Sequence, residues 1–332
     1  MTRFADELST CRVPASVAEW ARRGTPRTTL IGPGFTRTAY GWYRRAGSPT
    51  STAQRILDAA AGLPDGALVA GWAAAYVHGV DQLDGFDDHT LAPLPVPILL
   101  PPGQRRRPTE GVSYRQCRRP AFRDEIEGVA VTTLVRATID LALLSPSLTE
   151  SVVAVDAVLG SRLLAHRRLQ RVAADLLPRR GVRQARQAIA QARVGVRSPW
   201  ESRLRMFVVT ALGWHDLHVN RAVFDGRGHL LGIPDLLDVE AGLALEYDGA
   251  TWRADRSAGH RDRRQHREDN EREERLERAG LVVVRVEKAD LTSYRTRLAE
   301  RLVAARHDGL RRERSRDRWT VDEPEGWFGQ PA

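Results

Sequence analysis

The sequence predicts an α/β protein of more than one domain, and three features predict it. Apolar runs of strand length alternate with amphipathic helical stretches through residues 51–148. Further on, "GLALEYDG" and "LVVVRVEKADL" are strand-like runs separated by a long charged helical stretch, which implies a parallel pair joined by a crossover. The length, 332 residues, also exceeds one average domain.

Composition narrows the class. Hydrophobic residues make up 42% and charged residues 28%, ordinary for a globular chain. No run of about 18 uncharged apolar residues is present, so no membrane partner is expected. The opening stretch "MTRFADELSTCRVPASV" has no signal-peptide apolar core, and the expected location is cytoplasmic. Cys11 and Cys117 lie outside any CxxC pattern and read as ordinary thiols. The net charge is +9, and Lys288 is the only lysine among 51 basic residues. The positive charge is therefore guanidinium, which binds phosphate bidentately, so a nucleic-acid partner is expected.

In chain order, residues 1–50 combine a helical stretch, "SVAEWARRG", with the hairpin-like "TLIGPGFTRTAYGWYRRA". This module reads either as a winged-helix DNA reader or as an element packed on the next domain. Residues 51–148 read as an α+β domain. It opens with the helix "TSTAQRILDAAAGLP", capped by Ser51 or Thr52, then a second apolar helix, "ALVAGWAAAYVHGV". Strands follow in "PVPILLPP", "GVSYRQC" and "VAVTTL", then the helix "LVRATIDLALLS". His78, at a helix end with no second ligand at i±3 or i±4, reads as structural. "GQRRRP" (103–108) is a basic loop that either touches phosphate or is simply solvated. Residues 149–197 read as a helical connector, with Val182, Ala185, Ile189 and Ala192 as its buried stripe. Arg179, Arg183, Arg186 and Arg193 line a neighbouring face that could track a nucleic-acid backbone. "VGVRSP" reads as a linker.

The domain at 198–306 opens with "SPWESRLRMFVVTALGW". Ser198 is a good N-cap, Pro199 suits the first helical position, and Glu201 completes a capping box. Glu201 also continues the buried face of Leu204, Val208 and Ala211, so it points inward. "HVNRAVFDGRGHLLGIPDLLDV" reads as a hairpin turning at Asp225-Gly226, with Asp235 in its second strand. In "GLALEYDG", period-2 alternation puts Leu243, Leu245 and Tyr247 on one face and Ala244, Glu246 and Asp248 on the other. An ionised acid buried alone is costly. A set formed by Glu201, Asp235, Glu246 and Asp248 is instead suited to Mg²⁺ or Mn²⁺, which take hard oxygen ligands and keep positions for water and phosphate. The charged helix ending at Gly280 buries a narrow stripe through Leu276, which brings in Glu273, Arg272, Asp269 and His266. The tail, 307–332, begins charged and ends with Trp319, Trp327 and Phe328.

Together, "SPWESRLR … GIPDLLD … LALEYDG … HREDNEREERLERAGLVVVRV" resembles the PD-(D/E)xK nuclease superfamily, in the branch related to very-short-patch-repair endonucleases, over about residues 198–292. Residues 1–197 more loosely resemble the abortive-infection type IV antitoxin family, whose N-terminal part is a winged-helix regulator. The resemblance implies a restriction-endonuclease-like mixed sheet flanked by helices. It makes Pro234-Asp235 the PD step, Glu246 the acid of the (D/E)xK strand and Glu201 the first-helix glutamate. His266, Asp269, Arg272 and Glu273 match a supporting helix. The chain departs from the pattern at Asp248, where the superfamily has lysine. That makes Asp248 an extra metal ligand, with His266 or Arg272 replacing the cation, while Lys288 is expected on the surface.

The implied function is Mg²⁺-dependent hydrolysis of DNA phosphodiesters, in phage defence or DNA repair. Glu201, Asp235, Glu246 and Asp248 would be the metal and catalytic set, and His266 a proton shuttle. Arg183, Arg186, Arg272 and Glu273 would support it or bind DNA. The alternative is a non-catalytic DNA-binding regulator of a toxin–antitoxin or defence system, with a protein partner and a retired nuclease fold.

Overall fold

The computed structural model describes residues 2–47, 50–107, 109–117, 122–249 and 271–327. It is an α/β protein with mixed and antiparallel sheets, in two compact units, 1–192 and 193–332. Among the described residues no helix is long and apolar enough to cross a membrane.

The first unit begins with α1 (Arg3–Leu8), β1 (Ala15–Ser16), α2 (Val17–Arg22), α3 (Arg27–Leu30), β2 (Phe35–Ala39) and β3 (Trp42–Arg45). Ser16 and Glu19 form a capping box on α2, and the three strands pair antiparallel in the order β1-β3-β2. This segment belongs to the same compact unit as the rest, because Phe4 is buried among Ala53, Ile56 and Tyr76. A mixed five-stranded sheet follows in the order β6-β5-β4-β8-β7. Its strands are β4 (Leu68–Val69), β5 (Val96–Leu100), β6 (Val112–Gln116), β7 (Arg123–Ile126) and β8 (Val129–Thr132), with α4 (Thr52–Ala60) and α5 (Gly71–Val77) packed on it. The stretch expected as one apolar helix therefore splits. Leu68 and Val69 extend into the sheet, and the helix starts only at Gly71, whose φ is +53°. His78 holds its helix end, its Nε2 lying 2.9 Å from the Thr132 carbonyl oxygen.

Helices α6 (Leu134–Leu144), α7 (Leu148–Gly160), α8 (His166–Ala174) and α9 (Val182–Gln191) complete the unit. They are not a connector. Ala185, Ile189 and Ala192 join Val155, Val158 and Leu169 in a second core, which is why the compact unit ends at 192.

The second unit starts with α10 (Pro199–Phe207), which widens into one π-helical turn, Val208–Leu212. The wider turn ends the expected stripe: Leu204 and Val208 are buried, but Ala211 is exposed. Strands β9 (His218–Val219), β10 (Val223–Phe224), β11 (Leu230–Gly232), β12 (Leu236–Asp238) and β13 (Leu243–Asp248) follow. After them come α11 (271–278), β14 (Val282–Glu287), α12 (Lys288–Thr292) and α13 (Arg295–Leu310). The main sheet has the order β14-β13-β12-β9, antiparallel except for the parallel β13/β14 pair. The hairpin around Asp225-Gly226 forms as β10/β11, a separate two-stranded ladder.

Alternation along β12 and β13 gives each sheet face its own cover. Leu236, Leu243 and Leu245 pack with Trp200, Leu204 and Phe207 of α10 and with Leu298 and Leu302 of α13. Leu237 and Ala244 face the other way, against Leu276 and Ala279 at the α11 end. Both sides are dry, so truncating Leu204 or Leu245 to alanine should cost about 2–5 kcal/mol. The tail docks on this unit: Phe224 and Thr320 exchange backbone hydrogen bonds, and Trp327 packs edge-on to Phe224 at 4.9 Å. Gly309 of α13 is a close-approach point, since a Cβ there would lie 2.2 Å from the Ala241 carbonyl oxygen. Gly309→Ala should destabilise the unit by about 1–3 kcal/mol, read as a lower urea midpoint at unchanged slope.

Candidate active site

Alternation in β13 directs Glu246 and Asp248 to the face that α11 covers. Asp235 lies one residue before β12, in a bend rather than in a strand, because Pro234 has no N–H to offer the ladder. Continuing the Leu236–Leu245 register by one step still sets Asp235 beside Glu246. The backbone fixes it there: Asp235 Oδ2 accepts the Tyr247 N–H at 2.7 Å, and its carbonyl accepts the Asn220 N–H at 3.0 Å.

Glu201 reaches the same place from the first turn of α10 and is buried. Ser198 Oγ accepts the Glu201 N–H at 3.2 Å, one half of the expected capping box. The other half is displaced by one residue, because the carboxylate accepts the Arg197 N–H at 2.9 Å instead of the Ser198 N–H. Its second donor is Asn220 Nδ2, at 2.8 Å. Asn220 also donates to the Gly195 carbonyl and sits at φ +47°, a left-handed conformation that asparagine tolerates. Asn220→Ala removes both side-chain bonds and strains the backbone. It should cost about 2–3 kcal/mol by urea denaturation.

Electrostatics tie the three acids together. The Asp235 carboxyl is pushed up to about 8, first by burial and then by the charges of Glu201 and Glu246. The Tyr247 N–H and the Arg272 guanidinium oppose that rise. Arg272 Nη2 lies 3.0 Å from Glu246 Oε2. Asp248 turns to a different partner, Arg285, with its Oδ2 3.6 Å from Nη1, and Arg285 Nη2 also pairs with Glu273. A small open cleft of about 50 Å³ is lined by Glu246, Asp248, Arg272, Glu273 and Arg285, with Tyr247 and Val283.

The expected set is therefore divided. Glu201 and Glu246 both act electrostatically on Asp235, whereas Asp248 holds an arginine. Arg272 and Glu273 both reach the cleft. His266 and Asp269 lie outside the described residues. Arg183 and Arg186 belong to the first unit; Arg183 is exposed, while the Arg186 guanidinium donates to the carbonyls of Ala173, Ala174 and Leu176 at the end of α8. Lys288 is half-buried rather than on the open surface, its Nζ 5.4 Å from the centre of the Trp200 ring, which stacks on Tyr247.

Two residues of this site, Asn220 and Arg285, escape the sequence reading. Arg285 leaves a legible trace as the one charged residue inside "LVVVRV", and the parallel register puts it beside Glu246. Among the described residues no group of three acid, histidine or cysteine side chains is placed to hold a metal ion. Magnesium does not need three, since it binds through one or two carboxylates with water and phosphate filling the rest. Asp235 and Glu246 could supply that pair, and a cation would offset both the burial and the repulsion that raise Asp235. In comparisons with protein-family models, with curated proteins and with solved structures, the chain matches none of them.

Proposed function

We propose that the second unit is a metal-dependent phosphodiesterase acting on DNA, with a restriction-endonuclease-like fold of the PD-(D/E)xK type. The observation that carries this reading is Asp235, fixed by the Tyr247 N–H and raised by burial and by the charges of Glu201 and Glu246, with Glu246 in turn lining a cleft that two arginines share. Asp235 and Glu246 would hold Mg²⁺ or Mn²⁺. When bound, the ion acidifies a water and neutralises phosphate charge. Glu201 sets the geometry through Arg197 and Asn220. Arg272 and Arg285 take the cationic part that lysine has in the superfamily pattern, and Asp248 positions Arg285 instead of binding metal. An arginine stays protonated, so its contribution is to hold phosphate and not to move a proton.

The test is incubation of the full chain with supercoiled plasmid and Mg²⁺ or Mn²⁺, beside Asp235→Ala and Glu246→Ala. Cleavage by the wild type that both variants lose supports the reading. A second reading, a DNA-binding regulator of a toxin–antitoxin or defence system, is favoured by residues 3–45. Their helix–strand–helix–helix–hairpin succession and β1-β3-β2 sheet resemble a winged helix. DNA binding without cleavage on several DNA forms would select it.

A further inference from the structure

The first unit has a larger groove than the acid–arginine cleft, about 450 Å³, between the β2–β3 hairpin and the loop after β5. Two stretches that are basic in sequence, "FTRTAYGWYRR" and "GQRRRP", meet there. Arg37 comes from the hairpin, and Arg106 and Arg107 come from the loop. The loop is tied down by Arg106, whose Nη2 donates to the Gly62 carbonyl just past α4. Tyr40, at the hairpin tip, is 88% exposed and carries the Arg37 guanidinium over its ring at 5.4 Å, while Tyr114 contributes to the lining from β6.

The charge of this groove is one-sided. Among the described residues its one acid, Asp58, is engaged by Arg44 at 3.0 Å and by Gln54 Nε2 at 2.8 Å. Arg37, Arg106 and Arg107 are all exposed. Guanidinium groups select phosphate, and a flat aromatic ring in a water-facing position selects another π face. A ligand that offers both at short repeat is a nucleic-acid strand with unstacked bases. A duplex keeps its bases stacked on one another, so it offers such a groove phosphate but no free base face. We infer that this groove binds single-stranded nucleic acid, with the three arginines on the backbone and Tyr40 stacked on a base. The inference rests on nucleic acid as the partner of this chain and not on cleavage.

The experiment is fluorescence anisotropy on the full chain in EDTA, with labelled oligo-dT, oligo-rU and duplex DNA of about 20 nucleotides, longer than a single-domain site. The variants are Arg37→Ala with Arg107→Ala, and Tyr40→Ala. Arg167→Ala with Arg168→Ala removes the same charge from α8 as a control. The wild type should bind a single strand more tightly than the duplex. The groove double variant should lose at least about tenfold, and its salt dependence should flatten by roughly 0.7 per arginine removed. Tyr40→Ala should lose roughly fivefold or more, and the α8 control should bind like the wild type. The oligo-dT and oligo-rU arms tell DNA from RNA. Equal losses in groove and control variants, a wild-type preference for duplex, or no single-strand binding would each overturn the inference. Plasmid cleavage without single-strand binding would remove the groove and leave the nuclease reading. Groove-dependent binding without cleavage would do the reverse.

Discussion

Asp235→Asn is expected to make the second unit more stable above neutral pH while lowering DNA cleavage on the order of a thousandfold or more. The sign follows from linkage. In the unfolded chain an aspartate releases its proton near pH 4, whereas in the folded chain Asp235 keeps it to about 8. Between those values the native state binds more protons, so wild-type stability falls as pH rises from about 4 to about 8. Asparagine does not titrate and still fits the bend, so the variant escapes that loss. A shift of this size in a dry site would be worth roughly 5 kcal/mol. Asp235 is only half-buried, and screening brings the expected gain at pH 8 to about 2 kcal/mol. Calorimetry at pH 5, 7 and 8 in EDTA should show the two proteins converging at low pH and separating at high pH. Magnesium must displace the Asp235 proton, so the midpoint rise it causes should grow from pH 6 to pH 8 in the wild type and vanish in the variant. A variant less stable than the wild type at pH 8, or an equal magnesium effect in both, would mean that Asp235 is a structural acid and not a ligand.

That trade of stability for charge was partly visible in the sequence. The alternation of "LALEYD" assigns Glu246 and Asp248 to one face, and the structure agrees because both faces of β13 are covered and each needs its own apolar set. The parallel β13/β14 pair was legible because a long charged stretch separates two strand-like runs, which calls for a crossover. The expected second hairpin strand, which includes Asp235, splits into β11 and β12 with Asp235 in the bend between them, since pattern alone does not show that Pro234 interrupts the ladder. The split of "ALVAGWAAAYV" into β4 and α5 illustrates another limit: a short, wholly apolar run has no periodicity to separate strand from helix. Asn220 was not legible because its bonds reach 19 and 25 residues back along the chain, to Glu201 and Gly195. Ser198-x-x-Glu201 reads correctly as a helix start. Only the fold reveals that the same carboxylate also receives the Asn220 amide, which makes a cap part of the site.

Asp248→Lys is the second large effect, and it separates two accounts of position 248. If position 248 had simply lost the cation that the proposed PD-(D/E)xK pattern places there, introducing lysine would raise cleavage. Here Asp248 lies 3.6 Å from Arg285, and the same guanidinium pairs with Glu273. A lysine would replace that attraction with repulsion. Both side chains are about one-third exposed, so the stability cost should stay near 1 kcal/mol. The catalytic cost should be larger, because displacing a phosphate-holding group by about 1 Å can cost on the order of a hundredfold. Asp248→Lys should therefore lower kcat at least tenfold while leaving DNA binding intact or tighter. Arg285→Ala should lose as much, and the double variant little more, as expected for two residues acting as one unit. Asp248→Asn, which keeps an acceptor for Arg285, should fall between wild type and lysine. Higher activity in Asp248→Lys, with Arg285→Ala unaffected, would return the cationic role to the strand and leave Arg285 as a brace between β13, β14 and α11.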